Sequence, residues 1–475
     1  MSAISNILND VQLRDSLIQL KQEKINIDNL ELKDKLVSLL SHEDPKVRKN
    51  TAIILGQYND MIAVLLQAYM QEETDYVKEA YLKGLESQEG LDLFIDIFKQ
   101  IQSDLMNSDA DAKHITAQLK ILNMIIVENS DHDIKEIKDK HLPIDVLLTT
   151  LPNYQSLLLD DPKLKGCPHK EVSQGLIVKT ESINETRKMR YYKEMLIPLG
   201  ASQLPQEVDT IVEALKNSKL NTILERLYGE ENYYYKLVDV LREKNSNFIS
   251  KLSDKISDEF GTQLLNVKTK QDFDIVVKEV KKGTVSLYLR PNIKDKRFGY
   301  RKEVIASSIQ PYIAAVLLKL FKPYIKEDAS VYDPFCGVGT MLIERYRLSK
   351  PKFMVGTDIY NDGIEIAKRN TKITKYNINY VHKDALRYET EELFDEMITD
   401  MPTIAQSKDE ASCNKTYQIF FNRIKELVKV DGVVGIYTLE DQLVNKYKTD
   451  DLELLQDYSI KRGKNIYHFF IFKVK

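Results

Sequence analysis

The sequence has little of what marks a secreted or membrane-bound chain. Only three cysteines, Cys167, Cys336 and Cys413, occur in 475 residues, with no paired spacing. This excludes a disulfide framework and a zinc knuckle and points to a reducing compartment. Cys167 and His169 in "GCPH" are two soft ligands standing alone, and they read as an ordinary loop. No continuous apolar run reaches the length of a membrane span. The opening "MSAISNILNDVQLRDSLIQL" carries acids early and no basic stretch before an apolar core, so it does not read as a secretory signal. A large excess of charge is also missing: the formal net charge is -4, so overall charge names no partner and any nucleic-acid surface has to be local. The expectation is a cytoplasmic protein without a membrane anchor.

What is present suffices for more than one core. With 43% hydrophobic and 29% charged residues, a chain of this length is expected to form roughly two to four domains. Between about residues 30 and 90 the apolar spacing is helical. "DPKVRKNTAIILG" (44–56) and "TDYVKEAYLKGLE" (74–86) align at an offset of thirty residues, Val47 over Val77, Arg48 over Lys78 and Leu55 over Leu85. Each follows another apolar helix, "DKLVSLLS" and "MIAVLLQAYM". This pattern resembles the HEAT repeat family, whose second helix often opens with Asp-Pro and a Val-Arg pair. The resemblance weakens after the second unit, although "DAKHITAQLKILNMII" keeps helical periodicity. It implies a surface that faces a protein partner or positions one; a plain helical bundle is the alternative.

At "HLPIDVLLTTLPN" the pattern changes to short β-rich runs, which sets a boundary near 140. From 141 to 296 strands ("GLIVKT", "TVSLYLR") mix with helices ("QEVDTIVEALKN" and "YYYKLVDVLREKNSNFISKLSDKISDEFG"), an α+β accessory domain. "TQLLNVKTKQDFDIVVKEVKKGTVSLYLRP" reads as two strands joined by a polar turn around Lys282 and Gly283, and it loosely resembles the end of the THUMP-type RNA-binding domain. From Lys278 to Lys302 there are nine Lys or Arg against Glu279 and Asp295. That local excess makes a stripe suited to phosphate. Lys294, Lys296, Arg297 and Arg301 are its substrate-binding candidates; a merely solvated hairpin is the competing explanation.

The chemistry concentrates in the last third. In "VYDPFCGVGTMLIERY" a short strand ends at Asp333, Gly337 and Gly339 allow backbone to approach a ligand, and a helix follows, which is a nucleotide-type cradle. A dinucleotide site would want a third Gly or Ala near 342, where Leu342 stands, and the Gly-Lys-Ser/Thr of a P-loop is absent. Asp333 would repel a pyrophosphate but suits a ligand with an ammonium and a sulfonium, as S-adenosylmethionine has. "FMVGTDIY" is a second strand ending in Asp358, 19 residues beyond Gly339, where a carboxylate accepts both ribose hydroxyls. "INYVHKDALRY" is a third, ending at Asp384 beside the adenine amino group, and "FDEMITDMPT" a fourth, ending at Asp400. A dinucleotide oxidoreductase is disfavoured by Asp333 and Leu342.

On these residues the segment 297–475 resembles the Rossmann-like N-methyltransferases of nucleic acids, especially their RNA guanine-N2 branch. "DPFCGVGT" fits the family's turn in full, and "RFGYRKEVIASSIQPYIAAVLLKL" looks like its lead-in helix. The resemblance implies an α/β domain holding S-adenosylmethionine among Asp333, Pro334, Phe335, Cys336, Gly337, Gly339, Thr340, Ile359 and Ala385, with Asp358 on the ribose and Asp384 on the adenine. It implies methylation of RNA such as tRNA or rRNA by the fourth-strand motif Asp400, Met401, Pro402 and Thr403. There the chain departs from the family, which places an aromatic where Thr403 stands. A nucleobase amine is a poor nucleophile, and a carboxylate plus a backbone carbonyl that accept its N–H bonds turn its lone pair toward the methyl group. The missing aromatic would stack on the flipped base, so Tyr300 or another nearby ring is expected to replace it. A cofactor-binding scaffold or a protein methyltransferase, using the N-terminal helices as partner surface, is the alternative. The expected layout is therefore a helical repeat region (1–140), an α+β accessory domain (141–296) and a Rossmann-like methyltransferase domain (297–475).

Overall fold

The computed structural model describes residues 3–22, 29–107, 112–129, 134–138, 143–229 and 232–475. They divide into two compact units, Met1–Lys138 with Leu199–Asn292, and Asp139–Pro198 with Ile293–Lys475. Residues 141–296 are thus shared between the units, and the boundary expected near 140 lies outside the described residues. No described helix is long and apolar enough to cross a membrane.

The first unit begins with helices from Ala3–Leu8 to Ala112–Asn129. Asp44 starts Pro45–Leu55 by accepting the Lys46 N–H, with proline in the first turn where its missing N–H is harmless. That helix meets Asp75–Glu86 so closely that a Cβ on Gly84 would lie 2.6 Å from the Ala52 carbonyl oxygen. Arg48 ties the first of these helices to Glu72, which ends the intervening helix Ile62–Gln71, by a fork at 2.7 and 2.8 Å. In the same unit Tyr233–Val240 runs parallel to Leu264–Asn266 and to Phe273–Lys281, which pairs antiparallel with Thr284–Pro291. The polar turn expected between the last two is there, with Gly283 at φ 74°.

Tyr233–Val240 corrects the sequence reading, which took it as the start of a long helix. Tyr233 and Tyr235 are buried while Tyr234 and Lys236 are not, a period of two. Adjacent tyrosines and valines favour this pleated, half-buried surface, and Phe273 receives the Tyr235 ring at 6.5 Å. The helix begins only at Ser246, capped by Asn245.

The second unit contains an antiparallel sheet in the order His169–Val172, Gly175–Thr180, Ile144–Thr149, Met195–Pro198, followed by a doubly wound domain. Its elements are α1 (Pro311–Phe321), β1 (Ser330–Asp333), α2 (Thr340–Leu348), β2 (Phe353–Asp358), α3 (Asn361–Thr374), β3 (Asn379–His382), β4 (Phe394–Asp400), α4 (Glu410–Leu427), β5 (Val428–Thr438), α5 (Asp441–Tyr447), β6 (Leu452–Arg462) and β7 (Asn465–Val474). The strand order is β3-β2-β1-β4-β5-β7-β6, with β7 antiparallel to both its neighbours and the other six strands running in one direction. Both faces are covered: Val331 packs into a core with Leu317, Leu342 and Ile471, while its neighbour Tyr332 enters the opposite core with Phe394, Met397 and Phe421.

Beneath the sheet's working edge, the Arg345 guanidinium forks onto Glu396 at 2.6 and 2.9 Å with both side chains 0% exposed. Removing one partner of such a pair typically costs about 3–5 kcal/mol, because the other charge is left buried. The pair ties α2 to β4 and so fixes the strands that carry Asp333 and Asp400.

Candidate functional site

In an open parallel sheet, ligands settle beyond the carboxyl ends of the strands where the winding reverses. Here that point lies between β1 and β4, and four of the expected acids collect along the same edge: Asp333 ends β1, Asp358 ends β2, Asp384 follows β3, and Asp400 ends β4.

Asp333 is 1% exposed. Its Oδ1 accepts from Thr399 Oγ1 at 2.7 Å and from the Phe335 N–H at 3.2 Å, which leaves Oδ2 without a partner among the described residues. Burial, against those two donors and reinforced by the nearby Asp400 and Asp358, pushes its carboxyl up to about 8. The chain then turns through Gly337 (φ 50°) and Gly339 (φ 79°), left-handed conformations that glycine adopts without strain. A Cβ on Gly339 would come 2.4 Å from the Tyr380 hydroxyl, whereas one on Gly337 would meet open space. The turn is therefore packed on one side and open on the other.

Asp358 steadies the turn, accepting from the Gly337 N–H and the Tyr360 N–H at 2.9 Å each. Beside it Ile359 is 55% exposed, although its carbonyl is held by His382 Nε2 at 2.9 Å. Asp384 caps the short turn Ala385–Arg387 through the Leu386 N–H, and Ala385 is buried. The Pro334 carbonyl accepts from Thr357 Oγ1, Phe335 packs at a tilt on Phe420, and the Cys336 thiol is raised by burial.

The edge fits S-adenosylmethionine on three observations: the free oxygen of a buried acid, the open side of Gly337, and the Thr340 Oγ1, buried without a hydrogen-bond partner at the start of α2. Asp333 and Thr340 would hold the methionine end, Asp358 the ribose and Ile359 one face of the adenine. The cofactor supplies an electrophilic methyl group.

Asp400 differs in environment. Half-buried by surface but deep in the protein, it makes no hydrogen bond to a described residue, and burial pushes its carboxyl to about 7 against the pull of Arg462. Met401 is buried, its N–H donating to the Tyr437 carbonyl at 2.9 Å, and its own carbonyl receives no described donor. The Pro402 carbonyl is taken by Tyr417 at 3.2 Å. Thr403 opens a short helical turn, with its N–H and hydroxyl both directed at Gln406.

The lead-in residues need correction. Tyr300, expected as a stacking face, is 6% exposed, and its hydroxyl donates to Glu344 at 2.7 Å. Arg297, expected on phosphate, has a side chain 6% exposed: it pairs with Asp295, donates to the Met189, Tyr192 and Lys193 carbonyls, and lies 3.8 Å over the Tyr192 ring. Arg190 completes the cluster by forking onto Glu344. Both residues build the fold because their partners lie far off in sequence. Arg301 is half-buried with one donor on the Ile309 carbonyl; Lys294 and Lys296 are exposed. The basic stripe is divided between the two units at Asn292.

Sequence reasoning missed Thr399, Glu344, Arg462 and Tyr437. Only Thr399 had a local signal, a hydroxyl one residue before Asp400 on a mostly buried strand. Among the described residues no group of His, Cys, Asp and Glu could hold a metal ion, and Cys167 lies apart from any such group.

A seven-stranded sheet wound in this order, with an acid and a glycine turn after its first strand, defines a class I methyltransferase domain that uses S-adenosylmethionine. Residues 298–463 match the UPF0020 family model, described as an RMKL-like methyltransferase domain. No curated protein sequence matches the chain. Among solved structures, TrmN from Thermus thermophilus is similar at 17% identity and a TM-score of 0.53, over 70% of this chain and 100% of that one. SMU.472 in complex with SAH is similar at 14% identity and a TM-score of 0.55, over 70% and 98%. A predicted N6-adenine-specific DNA methylase from Listeria monocytogenes is similar at 16% identity and a TM-score of 0.52, over 70% and 97%. At these identities the likeness is one of fold.

Proposed function

We propose that the protein methylates an exocyclic amine of a nucleic-acid base, guanine N2 in a structured RNA such as tRNA or rRNA being the first reading. The observation that carries it is the pair of unclaimed acceptors at the end of β4, the Asp400 carboxylate and the Met401 carbonyl, beside the cofactor edge. The two accept the two N–H bonds of an amine, and its lone pair is then directed at the methyl group. As the new C–N bond forms and the S–C bond breaks, the nitrogen sheds one proton. Asp400, already lifted toward neutrality by burial, takes it. The name of the Listeria neighbour, an adenine N6 methylase of DNA, belongs to the same class of exocyclic amine chemistry.

The competing reading is a scaffold or a protein methyltransferase. It is favoured by Thr403, whose polar groups are engaged with Gln406 and which offers no ring to a base. Within the first reading, residues 1–140 act as a HEAT-like surface for a protein partner, 141–296 as a THUMP-like accessory region and 297–475 as the methyltransferase domain. Three free cysteines support a cytoplasmic setting. Mass spectrometry of nucleosides from cells with and without the gene tests the proposal. Loss of a single methylated nucleoside, with N2-methylguanosine expected first, supports it, while an unchanged nucleoside profile alongside measurable cofactor binding hands the site to the competing reading.

A further inference from the structure

Next to Asp400 lies a cavity of about 400 Å³ that the cofactor edge does not use. Its walls come from the end of the antiparallel sheet at Thr150, from Lys193, from the start of α1 at Gln310 and Tyr312, and from the β6–β7 hairpin at Lys461 and Arg462. Three of these residues are cationic, and none of the lining residues is acidic. None of the three pairs with a carboxylate among the described residues. Arg462 lies 4.7 Å over the Tyr467 ring and gives one hydrogen bond, to the Tyr437 hydroxyl at 3.1 Å, so its remaining donors are unclaimed. Helix α1 opens with no side-chain cap, which adds the positive end of an 11-residue helix to the same wall. Two acids act on this wall from outside the lining: Asp400 on Arg462, and Glu194 on the Tyr312 phenol.

The cavity is joined to the β4 motif by one residue. Tyr437 stands opposite Asp400 in the parallel register, its carbonyl holds the Met401 N–H, and its hydroxyl holds Arg462. We infer that this cavity seats a phosphodiester of the acceptor strand beside the target nucleotide, with Lys193 and Lys461 as its mobile cations and Arg462 as its fixed one. The inference rests on the nucleic-acid reading above and assigns that substrate's backbone a place. It also supplies cations where the lead-in stripe has lost one: Arg297 is spent on the fold, while Lys193, Lys461 and Arg462 are gathered here.

The test uses the full chain with S-adenosylhomocysteine bound and follows the anisotropy of a fluorescein-labelled, mixed-sequence single-stranded RNA over a range of salt. A DNA strand of the same sequence forms a second arm. Lys193 and Lys461 are exposed, so the double variant Lys193→Ala/Lys461→Ala should fold. Loss of two phosphate contacts is expected to weaken binding about tenfold or more at low salt and to flatten the log–log salt slope by about 1.4, at about 0.7 per contact for single strands. S-Adenosylhomocysteine affinity should stay unchanged, and Lys193→Arg/Lys461→Arg should restore the slope. Equal losses on RNA and DNA support a phosphate. A loss confined to RNA overturns it in favour of a ribose hydroxyl. A double variant with the wild-type slope overturns the cavity assignment alone, whereas a wild type that binds neither strand overturns the nucleic-acid reading and this inference with it.

Discussion

Asp333 and Asp400 end neighbouring strands, and their surroundings are opposite. Asp333 is enclosed and braced by Thr399 and the Phe335 N–H, with one oxygen left open; Asp400 touches solvent and has no hydrogen bond to a described residue, only the field of Arg462. The difference separates the two halves of the site. A carboxylate that receives the same cationic ligand in every turnover is preorganised by the protein's own donors. A carboxylate that receives the acceptor must leave its lone pairs for the substrate, and its alignment is then completed by what binds next to it.

The sharpest way to break this comparison is to remove Asp400. Asp400→Ala should lower turnover by about 10²-fold or more, a typical scale for losing one preorganised polar group, while calorimetry shows S-adenosylhomocysteine binding as before. Asp400→Asn should keep far more activity than Ala if alignment is the larger part of its role. Equal rates for Ala and wild type would mean that the two acids do not divide the work.

A smaller effect should separate them by pH. With the free Asp333 carboxyl at about 8, a bound cation favours the ionised form and lowers its pKa. Affinity for S-adenosylmethionine therefore rises with pH, losing about tenfold for each unit below about 8 and levelling above it. Asp333→Asn should bind weakly and without that slope. Calorimetry from about pH 6 to 9 reads both, and a flat wild-type profile would show that the carboxyl is ionised before the cofactor arrives.

The smallest effect concerns the lead-in. Tyr300→Phe removes one hydrogen bond from Glu344, which Arg190 still pairs, so thermal denaturation should show a loss of about 1 kcal/mol. KM for the acceptor should not change. A raised KM would return Tyr300 to the substrate side and blur the line between fold and site.

The cofactor half was legible because its elements are local. An acid, two glycines and a helix start follow one another within eight residues of sequence, and each next strand announces itself by an apolar run ending in Asp358, Asp384 or Asp400. In the acceptor half Asp400 was legible too, but its surroundings were not, because Arg462 reaches Asp400 only through a hairpin more than sixty residues away. Arg297 and Tyr300 were misread for the same reason: their positions in a basic, aromatic stretch suggested a surface, while the groups that claim them lie 105 and 44 residues off. Tyr233–Val240 failed differently. Its apolar residues fit a helix as well as a strand, and the Phe273 ring that decides the matter comes from another strand.

The fork between Arg190 and Glu344 spans 154 residues, and that distance has a meaning in time. At roughly 5–20 residues per second of synthesis, about 8 to 30 seconds separate the two side chains as the chain is made. Of its partners among the described residues, Phe298 and the Arg297 carbonyl emerge within that interval and Glu344 only at its end. The Arg190 side chain thus reaches its carboxylate late in synthesis, after α2 has been made, although the backbone beside it bonds to Thr149 and Thr150, which precede it. A chaperone or protease that samples the nascent chain meets a segment pinned through its backbone to Thr149 and Thr150, whose Arg190 lacks its carboxylate until the first turn past the glycines has left the ribosome.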